Sequence, residues 1–403
     1  MPLIIFTQTL GQIIYFWLIN TNFIKSPKIH IVSFDIPSPP NYGGVIDVFY
    51  KVKSLYDLGY QITLHCYEYN HREISEELNK YCFRIYTYTR NFILVNPLKF
   101  YMPYIVFTRN HRMLLYQLLQ DDAPILFEGL HTTYFLNHPK LNKRVKLVRM
   151  HNIEHDYYAA LGKNEDNLFN KIYYLTEAFL LKKYEKILHK TNAVLAISSN
   201  DLKQLEQRKL TNVHLVPAFH GFELNIDIES KYYALYHGKL NVNENDVAAQ
   251  FLVKEVFSKI DYPLVIAGNN PTEELFELIK PFKHIRLIKN PNMKQMEDII
   301  KDAHMHVLPT FQATGIKLKL LHVLYNGKFI IANKEMIENT GLSKLVTEAN
   351  GATEMINAVN NLASTTFDLN ESELRKTVLS KHFNNIENAK KIDAIINQLT
   401  QIN

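Results

Sequence analysis

Short apolar runs rich in β-branched residues alternate with amphipathic stretches along this chain, and they do so in two successive series. The first series is Lys28–Phe34, Gln61–Tyr67, Phe83–Thr87, Pro124–Phe127, Lys146–Met150, Asn192–Ile197 and Val213–Val216. The second is Tyr233–Tyr236, Leu264–Ala267, Ile285–Ile288, His304–Leu308 and Phe329–Ala332. Such alternation predicts parallel sheets covered by helices on both faces. The series break near Ala218–Lys231, so the expectation is two Rossmann-like, doubly wound α/β domains facing a cleft. Their expected extents are 27–220 and 221–382, with helices at about 242–259, 271–280, 293–302, 314–326 and 352–361 in the second. Residues 383–403 are expected to form a helix that packs back on the first domain, and residues 1–26 an extension outside the fold. In open sheets of this kind, ligands bind at the loops that follow the strands' carboxyl ends.

At 403 residues, 47% hydrophobic and 21% charged, the chain has a globular composition. The net charge of +5 lies in the first half: residues 1–200 hold 22 Lys and Arg against 16 Asp and Glu, residues 201–403 hold 23 against 24. That excess is too dilute for a nucleic-acid footprint and suits an anionic substrate or lipid surface. Only Cys66 and Cys82 are present, which excludes a disulfide framework or a cysteine zinc site. The apolar run Ile13–Ile19 is shorter than the ~20 residues that span a bilayer.

Several strand-end segments carry candidate chemistry. Asp35–Gly44 leads into a helix, and Gly43 and Gly44 let backbone approach a phosphate at that helix's N-terminus. Thr314-Gly-Ile-Lys-Leu-Lys319 opens another helix, with Lys317 and Lys319 in a first turn where the helix dipole disfavours cations unless an anion is shared. His322 follows three residues later, and Lys239 closes the strand Tyr233–Tyr236. Together these groups could converge on a diphosphate. With no Asp-x-Asp, nothing recommends a divalent cation there. His131 follows a short strand and could orient a sugar hydroxyl. His151, Glu154 and His155 satisfy the H-x-x-E-H zinc-peptidase pattern, but His151 directly follows a strand.

Taken in order, Pro39-Pro-Asn-Tyr-Gly-Gly44, Glu128-Gly-Leu-His131, Arg149-Met-His-Asn-Ile-Glu-His155, Ser198 with Asp201, Tyr236-His-Gly-Lys239, Ile266-Ala-Gly268 and Thr314–Lys319 resemble the GT-B glycosyltransferases. Within these, the likeness is to retaining family-4-type enzymes, especially bacterial surface-polysaccharide transferases of the Bacteroidetes type. The resemblance implies an acceptor domain followed by a nucleotide-sugar domain and metal-independent hexosyl transfer with retention. It implies that His131, Lys317 and Lys319 are catalytic, and that Gly43, Gly44, Lys239, Thr314, Gly315 and His322 bind the donor. Arg149, His151 and Glu154 would bind acceptor or sugar. The family's E-x7-E pair is replaced: Gln312 lies near the first glutamate's place and His322 stands at the ribose-binding one.

The expected partners are a nucleoside-diphosphate sugar and a glycan or lipid-linked acceptor, with no cofactor and no nucleic acid. A cytoplasmic location is expected, with peripheral contact to anionic inner membrane through the aromatic and basic segment Asn91–Arg112. Three alternatives stand beside this reading: an inactive GT-B-like partner, a sugar-nucleotide epimerase, and a zinc hydrolase built on His151, Glu154 and His155.

Overall fold

The computed structural model describes residues 26–402 apart from 70–71, 92–101, 164, 166, 227–228, 230, 312–317 and 339. Two parallel sheets form the framework. The first runs β3-β2-β1-β4-β5-β6-β7, built from β1 (Lys28–Ser33), β2 (Gln61–Tyr67), β3 (Arg84–Tyr88), β4 (Ile125–Glu128), β5 (Lys146–Met150), β6 (Ala193–Ala196) and β7 (Val213–Leu215). The second runs β10-β9-β8-β11-β12-β13, built from β8 (Lys231–Lys239), β9 (Leu264–Asn269), β10 (Ile285–Lys289), β11 (Ala303–Leu308), β12 (Phe329–Ala332) and β13 (Thr347–Glu348). Strand order reverses between β1 and β4 in one sheet and between β8 and β11 in the other. A crevice opens at each such switch point.

The helix Gly43–Asp57 follows β1 and buries Val45, Val48, Phe49, Val52 and Leu55, an apolar stripe at helical spacing. The same helix also buries Asp47 and Lys51 one turn apart. Their partners come from the sheet beneath. Period-2 alternation puts Leu126 and Glu128 of β4, and Leu147 and Arg149 of β5, on the face that this helix covers, and Glu128 pairs in register with Arg149. Arg149 donates from Nη2 and Nε to Asp47, at 2.8 and 3.1 Å. Lys51 Nζ donates to Asp47 at 2.9 Å and to both Glu128 oxygens at 2.8 and 2.9 Å. The backbone N–H of Phe219 donates to Asp47, and Arg149 reaches the carbonyls of Val216 and Pro217. Burial alone would raise the Asp47 carboxyl, but Arg149 and Lys51 outweigh it and hold it far below the usual carboxylate range.

Two segments link the halves, and they are tied to each other. His220 Nε2 donates to the carbonyl of Phe383 at 2.9 Å, and Asn385 Nδ2 donates to the carbonyl of His220 at 2.6 Å. The last helix, Asn385–Ile402, then lies on the first half. Its Ala389, Ile392, Ile395 and Ile396 join the core of Ile29, Val48 and Val52, and Tyr60 Oη donates to Asp393 at 2.6 Å. One helix absent from the sequence-based expectation is Leu369–His382. Its periodicity is faint because its main anchors are a single buried Leu379 and Arg375, whose guanidinium binds the carbonyls of Gly327 and Lys328.

The four-charge network sets a stability expectation. Lys51→Met leaves two buried carboxylates without their shared cation, which costs about 3–5 kcal/mol. Urea unfolding should show the midpoint fall accordingly, and an unchanged midpoint contradicts the structural role given to Lys51.

Candidate active site

The carboxyl ends of β1, β4 and β5 meet the second half across a cavity of about 430 Å³. Phe34, Gly43, Gly44, His131, His151, Glu154 and Tyr157 line it from one side, and Glu244 and Leu318 from the other. Phe34 organises the wall. Its ring meets His151 edge-on with centroids 5.3 Å apart and His131 at 5.6 Å. A Cβ on Gly44 would stand 2.6 Å from Phe34 Cζ, so this position is glycine because the aromatic ring occupies the space. Gly43 instead faces Leu318 across the cleft. The helix that begins there has no acidic residue in its first turn and no side-chain cap, so its positive end is left for a ligand.

The two histidines differ in their support. His151 Nε2 lies 2.9 Å from Glu128 Oε2, which ties it to the charge network below. His131 Nδ1 and Glu154 Oε1 are both buried, have no hydrogen-bond partner among the described residues and lie 4.0 Å apart. Burial, with Arg109 and His151 nearby, holds the His131 imidazole well below its ordinary value, so it is neutral. Burial and the Glu185 carboxylate push Glu154 up to about 8, so it is a protonated acid at neutral pH. This wall therefore offers polar groups without net charge.

The other expected site residues separate into three groups. Thr314, Gly315 and Lys317 lie outside the described residues. Lys239 is exposed at the end of β8. Lys319 Nζ donates to Asn245 Oδ1 at 2.7 Å and lies over the Tyr236 ring, while Asn245 Nδ2 donates to the carbonyl of Lys239. His322 stacks on Phe222 with centroids 4.6 Å apart and 8° between planes. Burial lowers its pKa to about 4, so it supplies a neutral ring where the resemblance implies a carboxylate.

Arg149 needs a correction. It is fully buried beneath the cleft with its guanidinium engaged by Asp47 and main-chain carbonyls, so it supports the site without reaching a ligand. The zinc-peptidase pattern is also dispersed: His151 turns to Glu128, Glu154 faces the cleft, and His155 Nδ1 meets Glu185 at 2.6 Å on another side. A different trio, Asp47, Glu128 and His151, brings its ligand atoms within 4.8 Å of one another. Lys51 and Arg149 already neutralise that trio, so it does not suit a divalent cation. In Asn91–Arg112, residues 92–101 lie outside the described residues, and Arg109 is buried with its guanidinium on the carbonyls of Ile105 and Phe34. Arg109 is therefore not a lipid contact.

Asp47, Lys51 and Phe34 were not among the sequence candidates. The available signal was the Asp47/Lys51 pair one turn apart beside an apolar stripe, which only the partners on β4 and β5 distinguish from a solvated pair.

No family model matches the chain. A Klebsiella pneumoniae relative, described as an uncharacterized 44.6 kDa protein in the cps region, is 27% identical over 330 residues, 78% of this chain and 84% of the relative. Among solved structures, TarM superposes with a TM-score of 0.65 at 12% identity, covering 93% of this chain and all of TarM (100%). The apo lipopolysaccharide outer core galactosyltransferase WaaB gives 0.61 at 11% identity over 92% of this chain and 99% of its own. HepE of Anabaena, in complex with UDP and glucose, gives 0.59 at 10% identity over 92% and 100%. With its paired parallel sheets and interdomain cleft, the chain has the GT-B fold that these glycosyltransferase structures share.

Proposed function

We propose that this protein is a glycosyltransferase that moves a sugar from a nucleoside-diphosphate sugar to a hydroxyl of a glycan or lipid-linked acceptor in surface-polysaccharide synthesis. The observation that carries the reading is the cleft itself, where an uncapped helix N-terminus at Gly43 meets an uncharged polar wall at His131 and Glu154. The UDP and glucose of the HepE complex and the cps-region relative point the same way.

In this reading the helix end at Gly43, together with Lys239, Lys317 and Lys319, takes the diphosphate and neutralises the charge that develops as it leaves. One sugar hydroxyl bonds both His131 Nδ1 and the protonated Glu154, whose facing atoms are 4.0 Å apart. Retention rests on the resemblance; in the wall, Asp47 and Glu128 are locked in ion pairs and Glu154 holds its proton, so these three carboxyls are not free bases. Closure of the two halves would exclude water, which otherwise competes for the donor.

Incubation with each of UDP, GDP, ADP and CMP in EDTA tests the donor site. One nucleotide at ~100 times its Kd should raise stability by ~2.7 kcal/mol in a thermal melt. No shift with any of them sinks the proposal. Release of the diphosphate only when an acceptor is supplied separates transfer from epimerisation. Lys319→Ala should lower turnover by about 10²-fold; a change within threefold removes Lys319 from the donor site.

Glu154 gives a signed pH test. Its folded pKa is raised, so its stabilising effect is complete below its unfolded value and is lost as pH rises toward about 8. Glu154→Gln should keep turnover near neutral pH and gain in melting temperature over wild type as pH rises from 5 to 9. A constant difference across that range shows that Glu154 is not protonated in the fold.

A further inference from the structure

The helix Leu168–Tyr184 departs from the ordinary pattern of a surface helix. Its outward face carries Leu168, Ile172 and Phe179, exposed by 65, 55 and 58%, with Phe169 beside them at 84% and Leu175 at the edge of the stripe, where its side chain also packs on Gly162. These positions recur at three- and four-residue spacing and form one apolar stripe along the helix. Exposed apolar surface of this kind marks a contact that the described residues do not satisfy.

The charge on the same segment is one-sided. Residues 168–190 hold five lysines (171, 182, 183, 186 and 190) against two glutamates. Both glutamates are withdrawn from the surface. Glu177 accepts the backbone N–H groups of Tyr104 and Ile105 at 2.9 and 2.8 Å, and Glu185 is paired with His155 and Arg208. At the hairpin tip Glu165 folds back on the N–H of Asn167. Lys182, Lys183 and Lys186 continue the apolar stripe at its C-terminal end, and Lys183 Nζ lies over the Phe179 ring, 4.1 Å from its centroid.

We propose that this stripe and its lysines seat the protein on an anionic lipid surface, with the helix lying in the plane of the interface. The apolar side chains would enter the headgroup boundary, and the lysines would reach outward to lipid phosphates. Charge complementarity favours lipid over a second copy of the chain. A twofold contact across this stripe would bring the lysines of both copies together, and among the described residues of 168–190 no exposed acid stands to meet them. The helix packs on Glu154–Lys163, whose first residue lines the cleft, so a single helix separates the seat from the cleft. Seating on lipid is separate from the transfer reaction and needs none of its substrates.

The test uses the full-length protein and two vesicle preparations, phosphatidylcholine alone and phosphatidylcholine mixed with phosphatidylglycerol. Wild type should sediment with the mixed vesicles, and sodium chloride should release it. Lys182→Glu/Lys183→Glu/Lys186→Glu should weaken partitioning by at least about a hundredfold, since each lysine lost removes roughly 1 kcal/mol and each glutamate gained adds repulsion. Ile172→Ser/Phe179→Ser should also release the protein, with an unchanged circular dichroism spectrum because these side chains are exposed. Binding equal for both vesicle types, or absent from both, overturns the proposal. So does a dimer in sedimentation velocity that the Ile172→Ser/Phe179→Ser variant dissolves, since the stripe would then be a self-association face.

Discussion

The bond that most of this structure depends on is the buried one between Asp47 and Arg149, which Lys51 and Glu128 extend into a chain of alternating charges. Taking four charges out of water is costly, and pairs of this kind repay the cost only when their geometry is good and the remaining donors and acceptors are met. Here they are met. Asp47 also takes the Phe219 N–H, and Arg149 also binds the carbonyls of Val216 and Pro217. The consequence is positional. The network fixes the helix Gly43–Asp57 against β4 and β5, and through Glu128 it fixes the His151 ring in the cleft wall. It also fastens the start of the interdomain segment, because Val216, Pro217 and Phe219 belong to the stretch that leaves the first half.

That stretch is one strand of a double tie. His220 bonds the chain where it returns at Phe383 and Asn385, and the last helix then fills the core beside Val48 and Val52. The first half is therefore built from both ends of the described chain. Rotation of the second half would pivot near His220 and Phe383. On the proposed function, closing about that pivot would bring Glu244 and Leu318 toward His131 and Glu154, and the one cleft would gain both the donor and the acceptor side.

Much of the framework was legible because parallel strands buried on both faces read as apolar runs. Gln61–Tyr67, Lys146–Met150 and Phe329–Ala332 fall where the pattern places them. His131, His151 and Glu154 reach the cleft because they follow strand ends. The sequence could not show which face Arg149 takes. Counting from Leu147 gives the face, but that the helix there carries Asp47 is a long-range fact. The protonated state of Glu154 was equally hidden, since it arises from burial and from Glu185, thirty-one residues away in the chain. Arg109 looks basic and peripheral in sequence but spends its donors on backbone carbonyls, while the exposed cations follow Phe179.

The central claim is that one cleft holds the diphosphate at the Gly43 helix end and the sugar at the His131–Glu154 wall. A crystal structure with a bound nucleoside-diphosphate sugar tests it most directly. The account predicts diphosphate oxygens on the backbone N–H groups that open Gly43–Asp57, and one sugar hydroxyl within hydrogen-bond reach of both His131 Nδ1 and Glu154 Oε1. A sugar nucleotide seated elsewhere, or one whose sugar leaves those two atoms unpartnered, would contradict it.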